Sequence, residues 1–250
     1  MRRTGGTTAA ALLATLSEHP GVPHEPFNPE RRFGDVTKHW HAHKDVAALH
    51  EKMAQVLAPR PVIKHCYELV APEVNRALIE VSSALGYRHI ILDRDAEVDR
   101  VLSLELAQIT GAWGSKDAKR IYREIEEGVR ECDPINIPRA LHQLHICQNR
   151  RLELAALLTA QEHAPFVVYF EEMYSDPDAG RKRIGQLLDF LEISPDDPVE
   201  YNKLLTNALL HQGQNSARIM AAVPNIKDAR AQLEKKAEEM TFRFLTTEIV

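Results

Sequence analysis

Strands alternating with helices predict an α/β fold, with a parallel sheet flanked by helices on both faces. Two short apolar runs carry much of that prediction: Tyr87 to Asp93 (YRHIILD) and Phe166 to Phe170 (FVVYF) read as buried strands. Segments of helical spacing follow both runs. A glycine-rich stretch, Arg3 to Thr8, leads straight into a helix, the arrangement in which such sheets present anion sites.

The elements follow in order. Thr7 to His19 is rich in alanine and leucine, and Pro20-Gly21 ends it. Val22 to Glu25 reads as a brief strand, and Pro26, Asn28, Pro29 and Gly34 mark a loop. Asp45 to Leu57 places Val46, Leu49, Met53, Val56 and Leu57 at helical spacing. Val62 to Tyr67 reads as a strand after Pro61, and Pro72 to Leu85 as a helix closed by Gly86. A helix starts near Glu97, others fill Lys116 to Glu131 and Pro138 to Gln161, and Asp178 to Leu191 follows the second clear strand. From about residue 195 the chain is helical, with breaks at Gly213 and Pro224. No repeat or linker divides the sequence, so residues 1–250 are expected to form a single domain. A phosphate loop in this architecture follows a buried strand, yet here it starts at Met1. The expectation is therefore a truncated or misassigned chain start, because a missing central strand would leave its neighbours unpaired.

Composition narrows the function. A formal net charge of −5, with 12 His taken as neutral, argues against a general nucleic-acid binder but allows a local basic pocket. Cys66, Cys132 and Cys147 form no CxxC pair, which fits a reduced, cytoplasmic protein. No apolar run approaches the roughly 18 residues of a membrane span. Met1-Arg2-Arg3 leads into glycines and threonines rather than a signal peptide.

Two constellations bear chemistry. In Arg3-Thr4-Gly5-Gly6-Thr7-Thr8, glycines let the backbone approach an anion and helix-start N–H groups point at it. The Thr7 and Thr8 hydroxyls can donate and Arg3 adds a full charge. The loop lacks the GK[ST] ending of a Walker A motif, which disfavours a magnesium-dependent ATPase. The plain alternative is a helix merely capped by Thr7. The second constellation is Ile90-Ile91-Leu92-Asp93-Arg94-Asp95, with Ser103 further along the next helix. Arg94 at the strand end and Ser103 can converge on one phosphate at the carboxyl edge of the sheet. The alternative pairs Arg94 with Asp95 or Asp99.

In this order, the two segments resemble PAPS-dependent sulfotransferases, with a P-loop-like sheet: Arg3 to Thr7 resembles their 5′-phosphosulfate loop, and Arg94 with Ser103 their 3′-phosphate motif. Ser103 to Trp113 (SLELAQITGAW) is most similar to the bacterial trehalose 2-sulfotransferase branch. Phe166 to Glu172, followed by Asp176-Pro177, resembles a late strand-helix block of bacterial members. Asp95-Ala96 departs from the family, which often has proline nearby.

The resemblance implies sulfuryl transfer from PAPS, leaving PAP, to a small acceptor, a sugar or glycolipid among the options, without metal or nucleic acid. It implies that Arg3 and the loop stabilise the leaving phosphate and that Glu25 acts as base. His24 is the alternative base, and a structural loop carboxylate is the competing reading of Glu25. Lys64 would place a cation beside the acceptor or sulfonate, and Arg218 would close over the nucleotide; a solvated lysine is the plain reading of Lys64. The fold allows a homo-oligomer. Competing functions are a nucleotide-dependent phosphotransferase, for which no metal-binding carboxylate set is evident, and a non-catalytic nucleotide-binding protein of the same descent. His39, His41 and His43 around Trp40 read as an exposed loop, and His142 and His145 as core or surface residues of a helix. Trp40 and Trp113 could stack on a sugar, with packing the plainer role.

Overall fold

The computed structural model describes residues 2–162, 164–210 and 217–244. The side chains of Ser115, Lys116, Leu210 and Ala217 lie outside that description. The chain is mixed α/β and mostly helical, with a small parallel sheet. Its two strands, β1 (Ile90–Asp93) and β2 (Phe166–Tyr169), pair directly, Ile90 opposite Phe166 and Asp93 opposite Tyr169. Helices α5 (Glu97–Thr110), α6 (Ser115–Glu126) and α7 (Ile137–Ala160) form the crossover between them.

Alternation of side chains fixes what each sheet face meets. Ile90, Leu92, Phe166 and Val168 pack with α1 (Gly6–Leu16), α9 (Pro177–Leu191) and α10 (Pro198–Leu210). Ile91 and Val167 face the other way, onto Ile79 of α4 (Pro72–Ala84) and Leu154 and Leu158 of α7. A third cluster joins α2 (Gly34–His43), α3 (Val46–Leu57) and α4 around Phe27, Trp40 and Met53. A fourth joins α5, α6 and α7 to α11 (Ala217–Met220) and α12 (Ile226–Ala237). The short α8 (Phe170–Tyr174) follows β2 without a break. Its successor α9 starts where Asp176 caps Ala179 N at 2.7 Å and Pro177 takes the first turn, where no N–H is needed.

Several expectations are corrected. Val22 to Glu25 and Val62 to Tyr67 are not strands: the one isolated parallel bridge here joins Val62 to Gly21, just before the first segment. Around that bridge the two stretches bond to each other only sparsely, Val62 N donating to Pro20 O at 2.9 Å and Glu25 N to Lys64 O at 2.8 Å. The sheet is therefore smaller than expected, with two strands among the described residues. Nor are neighbouring strands left unpaired, since β1 and β2 bond to each other. The His39–His43 stretch is helical rather than an exposed loop, because Val36, Thr37 and Trp40 form a buried face. His39 and His43, one turn apart, stack with ring centroids at 4.2 Å. The helical reading beyond residue 195 fits α10, α11 and α12, while the break at Gly213 lies outside the described residues. No helix among the described residues is long and apolar enough to cross a membrane.

Candidate functional site

The glycine-rich loop is held in a shape few residues adopt. Arg3 (φ 70°) and Gly5 (φ 75°) are both left-handed. A side chain at Gly5 would collide with the Tyr174 ring, its Cβ lying 2.6 Å from Cε2 and 3.1 Å from Phe170. Glycine is thus required there on two counts, conformation and space. Tyr174 Oη donates to Gly5 O at 3.3 Å, and the Thr8 hydroxyl bonds to the same phenol. Thr7 is exposed at the start of α1, while Thr4 is buried.

Arg3 meets Ser103 across 100 residues of chain, its Nε and Nη2 donating to the serine oxygen at 2.9 and 2.8 Å. Ser103 is buried on α5. Burial lowers the Arg3 pKa, the Tyr122 phenol partly offsets this, and the charge of Arg94 lowers it further. Two guanidinium groups thus share one partly buried region, an arrangement that an anion would stabilise.

Arg94 follows β1 and is not paired with Asp95 or Asp99. Its guanidinium lies over the Phe170 ring at 4.6 Å, and its Nε is 3.5 Å from Glu171 Oε1. That separation is within ion-pair reach but makes no hydrogen bond, so Nε is buried without a hydrogen-bond partner. Glu171 instead accepts from Asp95 N at 2.9 Å and Ala96 N at 3.1 Å, fixing the turn that carries Arg94. Asp95 pairs with Arg243, and Asp99 with Arg230.

Lys64 and Glu25 adjoin the helix start. Lys64 Cε would lie 3.5 Å from a Cβ at Gly6, and Lys64 Nζ donates to Glu25 Oε1 at 2.6 Å. Glu25 is left-handed (φ 58°). Burial and then the Lys64 charge lower the His24 pKa. Arg218 is exposed and pairs with Glu126 at 2.9 Å. Trp113 is exposed, Trp40 is packing, and His142 and His145 lie on the surface of α7. No group of three or more His, Cys, Asp or Glu among the described residues is placed to hold a metal ion.

Behind the loop lies a buried ionic network that sequence reasoning misses. Arg100, fully buried, donates to Glu97 from Nε and Nη2, both at 2.8 Å. Its Nη1 donates to Arg2 O at 3.1 Å and lies 3.8 Å from Glu68. Glu68 accepts from Arg2 N at 2.9 Å and from Arg2 Nε at 3.0 Å. Arg151 bridges Glu97 to Asp93, the last residue of β1, with two 2.6 Å bonds to the Asp93 carboxylate. Asp93 Oδ1 also accepts from Arg94 N at 2.9 Å. The network therefore runs from the backbone beside Arg3 to the backbone of Arg94. Its one signal in the sequence is the i, i+3 pairing of Glu97 with Arg100 on one helix face.

No known protein family, curated protein or solved structure matches this chain.

Proposed function

We propose that the chain is a sulfotransferase that moves a sulfuryl group from PAPS to a hydroxyl of a carbohydrate or other small acceptor. The observation that carries this reading is the meeting of Arg3 with Ser103, with the charge of Arg94 beside them. Residues that fit the donor are present. Arg94 Nε is buried with no hydrogen-bond partner, and the start of α1 offers N–H groups and positive dipole charge.

In this reading, Arg94 and Ser103 hold the 3′-phosphate, while Arg3 and the loop N–H groups hold the 5′-phosphosulfate. The acceptor oxygen bonds to sulfur as the bond from sulfur to the 5′-phosphate oxygen breaks, and the electron pair leaves on that oxygen. Arg3 and the helix start stabilise the charge that develops there, each such donor contributing about 3 kcal/mol in the transition state. Glu25 takes the acceptor proton. Lys64 holds Glu25 in the unliganded chain and has further N–H donors for the sulfonate. The Lys64–Glu25 pair also suits a second reading, a nucleotide-binding protein without transfer, in which Glu25 is structural.

Arg94→Ala is the discriminating variant. A hydrogen bond to a charged group contributes roughly 1.5–3 kcal/mol, so PAP affinity should fall about 10- to 100-fold. Adenosine 5′-phosphate lacks the group assigned to Arg94 and should bind almost as before. Calorimetric titration of both ligands checks this. Equal losses would make Arg94 a support of the Glu171 turn rather than a reader of the 3′-phosphate.

A further inference from the structure

Tyr122 lies on α6, more than nine-tenths buried, among Val101, Leu102 and Leu106 of α5. Its ring completes that apolar cluster, and phenylalanine would complete it equally well. The hydroxyl adds a polar atom that is buried and makes no hydrogen bond. Such an atom is destabilising unless something arrives to pair with it.

What could arrive is set by the neighbours. Burial raises the Tyr122 pKa and the Arg3 charge works against it, so the phenol is a neutral O–H close to the Arg3 guanidinium. Guanidinium groups have only donors. Arg3 and Arg94 therefore cannot accept the Tyr122 proton, and Arg3 already donates twice to Ser103 Oγ. A buried phenol O–H without an acceptor, next to a cation that only donates, calls for a ligand rich in acceptors, which a phosphate is.

We propose that the Tyr122 hydroxyl is a binding donor for the anion held by Arg3. The identity of that anion as the 5′-phosphate end of the nucleotide rests on the proposed function; the need of the hydroxyl for an anionic acceptor does not. Tyr122 thus adds to the site a residue from an element that neither sequence constellation touches.

The test is Tyr122→Phe, which keeps the ring and removes the oxygen. Three measurements are made beside the parent: melting temperature without ligand, and calorimetric titration with PAP and with inorganic pyrophosphate. The unliganded variant should melt no lower than the parent, because it loses an unpartnered group. Its PAP affinity should fall about tenfold or more, as expected for a lost bond to a charged group. Pyrophosphate should weaken in the same direction. A PAP affinity within about twofold of the parent would overturn the inference, since each such bond is expected to exceed that. So would a clear drop in unliganded melting temperature, which would show that the hydroxyl has a partner in the free protein. If the parent fails to bind PAP, the nucleotide reading falls, and pyrophosphate alone decides. Tighter binding by the parent than by the variant would then sustain the assignment, and equal or undetectable binding by both would overturn it.

Discussion

Glu25→Gln should leave the fold and PAP affinity intact while slowing sulfuryl transfer by about 10²–10⁴-fold, the range of a general base. Glutamine has the same shape and can still accept the bond that Lys64 Nζ gives at 2.6 Å. It cannot take a proton. The position of Glu25 suits a base: its own N–H anchors it to Lys64 O at 2.8 Å, and Lys64 sits against the start of α1 at Gly6. His24 is one residue away with its pKa lowered by burial and Lys64, so His24→Gln is the necessary companion. We expect that variant to be much milder. The measurement is single-turnover transfer of labelled sulfate from PAPS to pooled sugar and glycolipid acceptors, with PAP binding followed on the same samples. Near-full transfer by Glu25→Gln with loss in His24→Gln would reverse the roles. If both transfer normally, the Lys64–Glu25 pair is structural.

Arg100→Met should be the most destabilising of these substitutions, by about 3–5 kcal/mol, because it leaves buried carboxylates without one of their cations. That is a large part of the roughly 5–15 kcal/mol that holds a typical domain folded. Arg100 is fully buried and binds Glu97 with two 2.8 Å bonds. Burial alone would raise the pKa of Glu97 and of Glu68, but Arg100 and the neighbouring arginines more than offset it, so both lie below their ordinary value. A folded value below the unfolded one gives stability that is complete above the unfolded pKa and lost as pH falls through the folded one. The deficit of Arg100→Met should therefore shrink in acid. Urea unfolding at neutral and acidic pH checks both points. The variant also removes the bond from Arg100 to Arg2 O, so PAP affinity should fall although Arg100 is not itself assigned to a ligand. An unfolding free energy at neutral pH within about 0.5 kcal/mol of the parent, the range of ordinary surface substitutions, would mean that the network does not brace the loop.

What is legible in the sequence depends on how local the signal is. The strands IILD and FVVY are continuous apolar runs, as expected where both faces are covered, and the structure pairs them in parallel. Asp176-Pro177 and Asp45 announce helix starts through short-range capping, and both serve as N-caps or first-turn residues. α2 escapes a reading by pattern because GDVTKHWHAH is nearly all polar and shows only Val36 and Trp40 one turn apart. Val62 to Tyr67 has the composition of a strand, but its carbonyls and N–H groups are spent on neighbouring loops and on Asn75, whose Nδ2 donates to Tyr67 O. Beta propensity records a fit to a pleated surface, not the presence of a partner strand. Among site residues, the loop and Arg94 announce themselves within a few positions. Tyr122 and the Arg100–Arg151 network do not, since Arg151 reaches Asp93 across 58 residues and Arg100 reaches Cys147 across 47. Only the fold creates those pairings.

The most direct test of the proposed site is thermal unfolding with PAP against magnesium ATP. The loop has no Walker lysine, and Arg94 with Ser103 is assigned to a 3′-phosphate that ATP lacks. We expect PAP at a hundredfold excess over its dissociation constant to stabilise the chain by about 2.7 kcal/mol. Magnesium ATP at the same concentration should shift the transition little. Equal stabilisation by the two nucleotides would contradict the 3′-phosphate assignment, and no stabilisation by PAP would contradict the sulfotransferase reading itself.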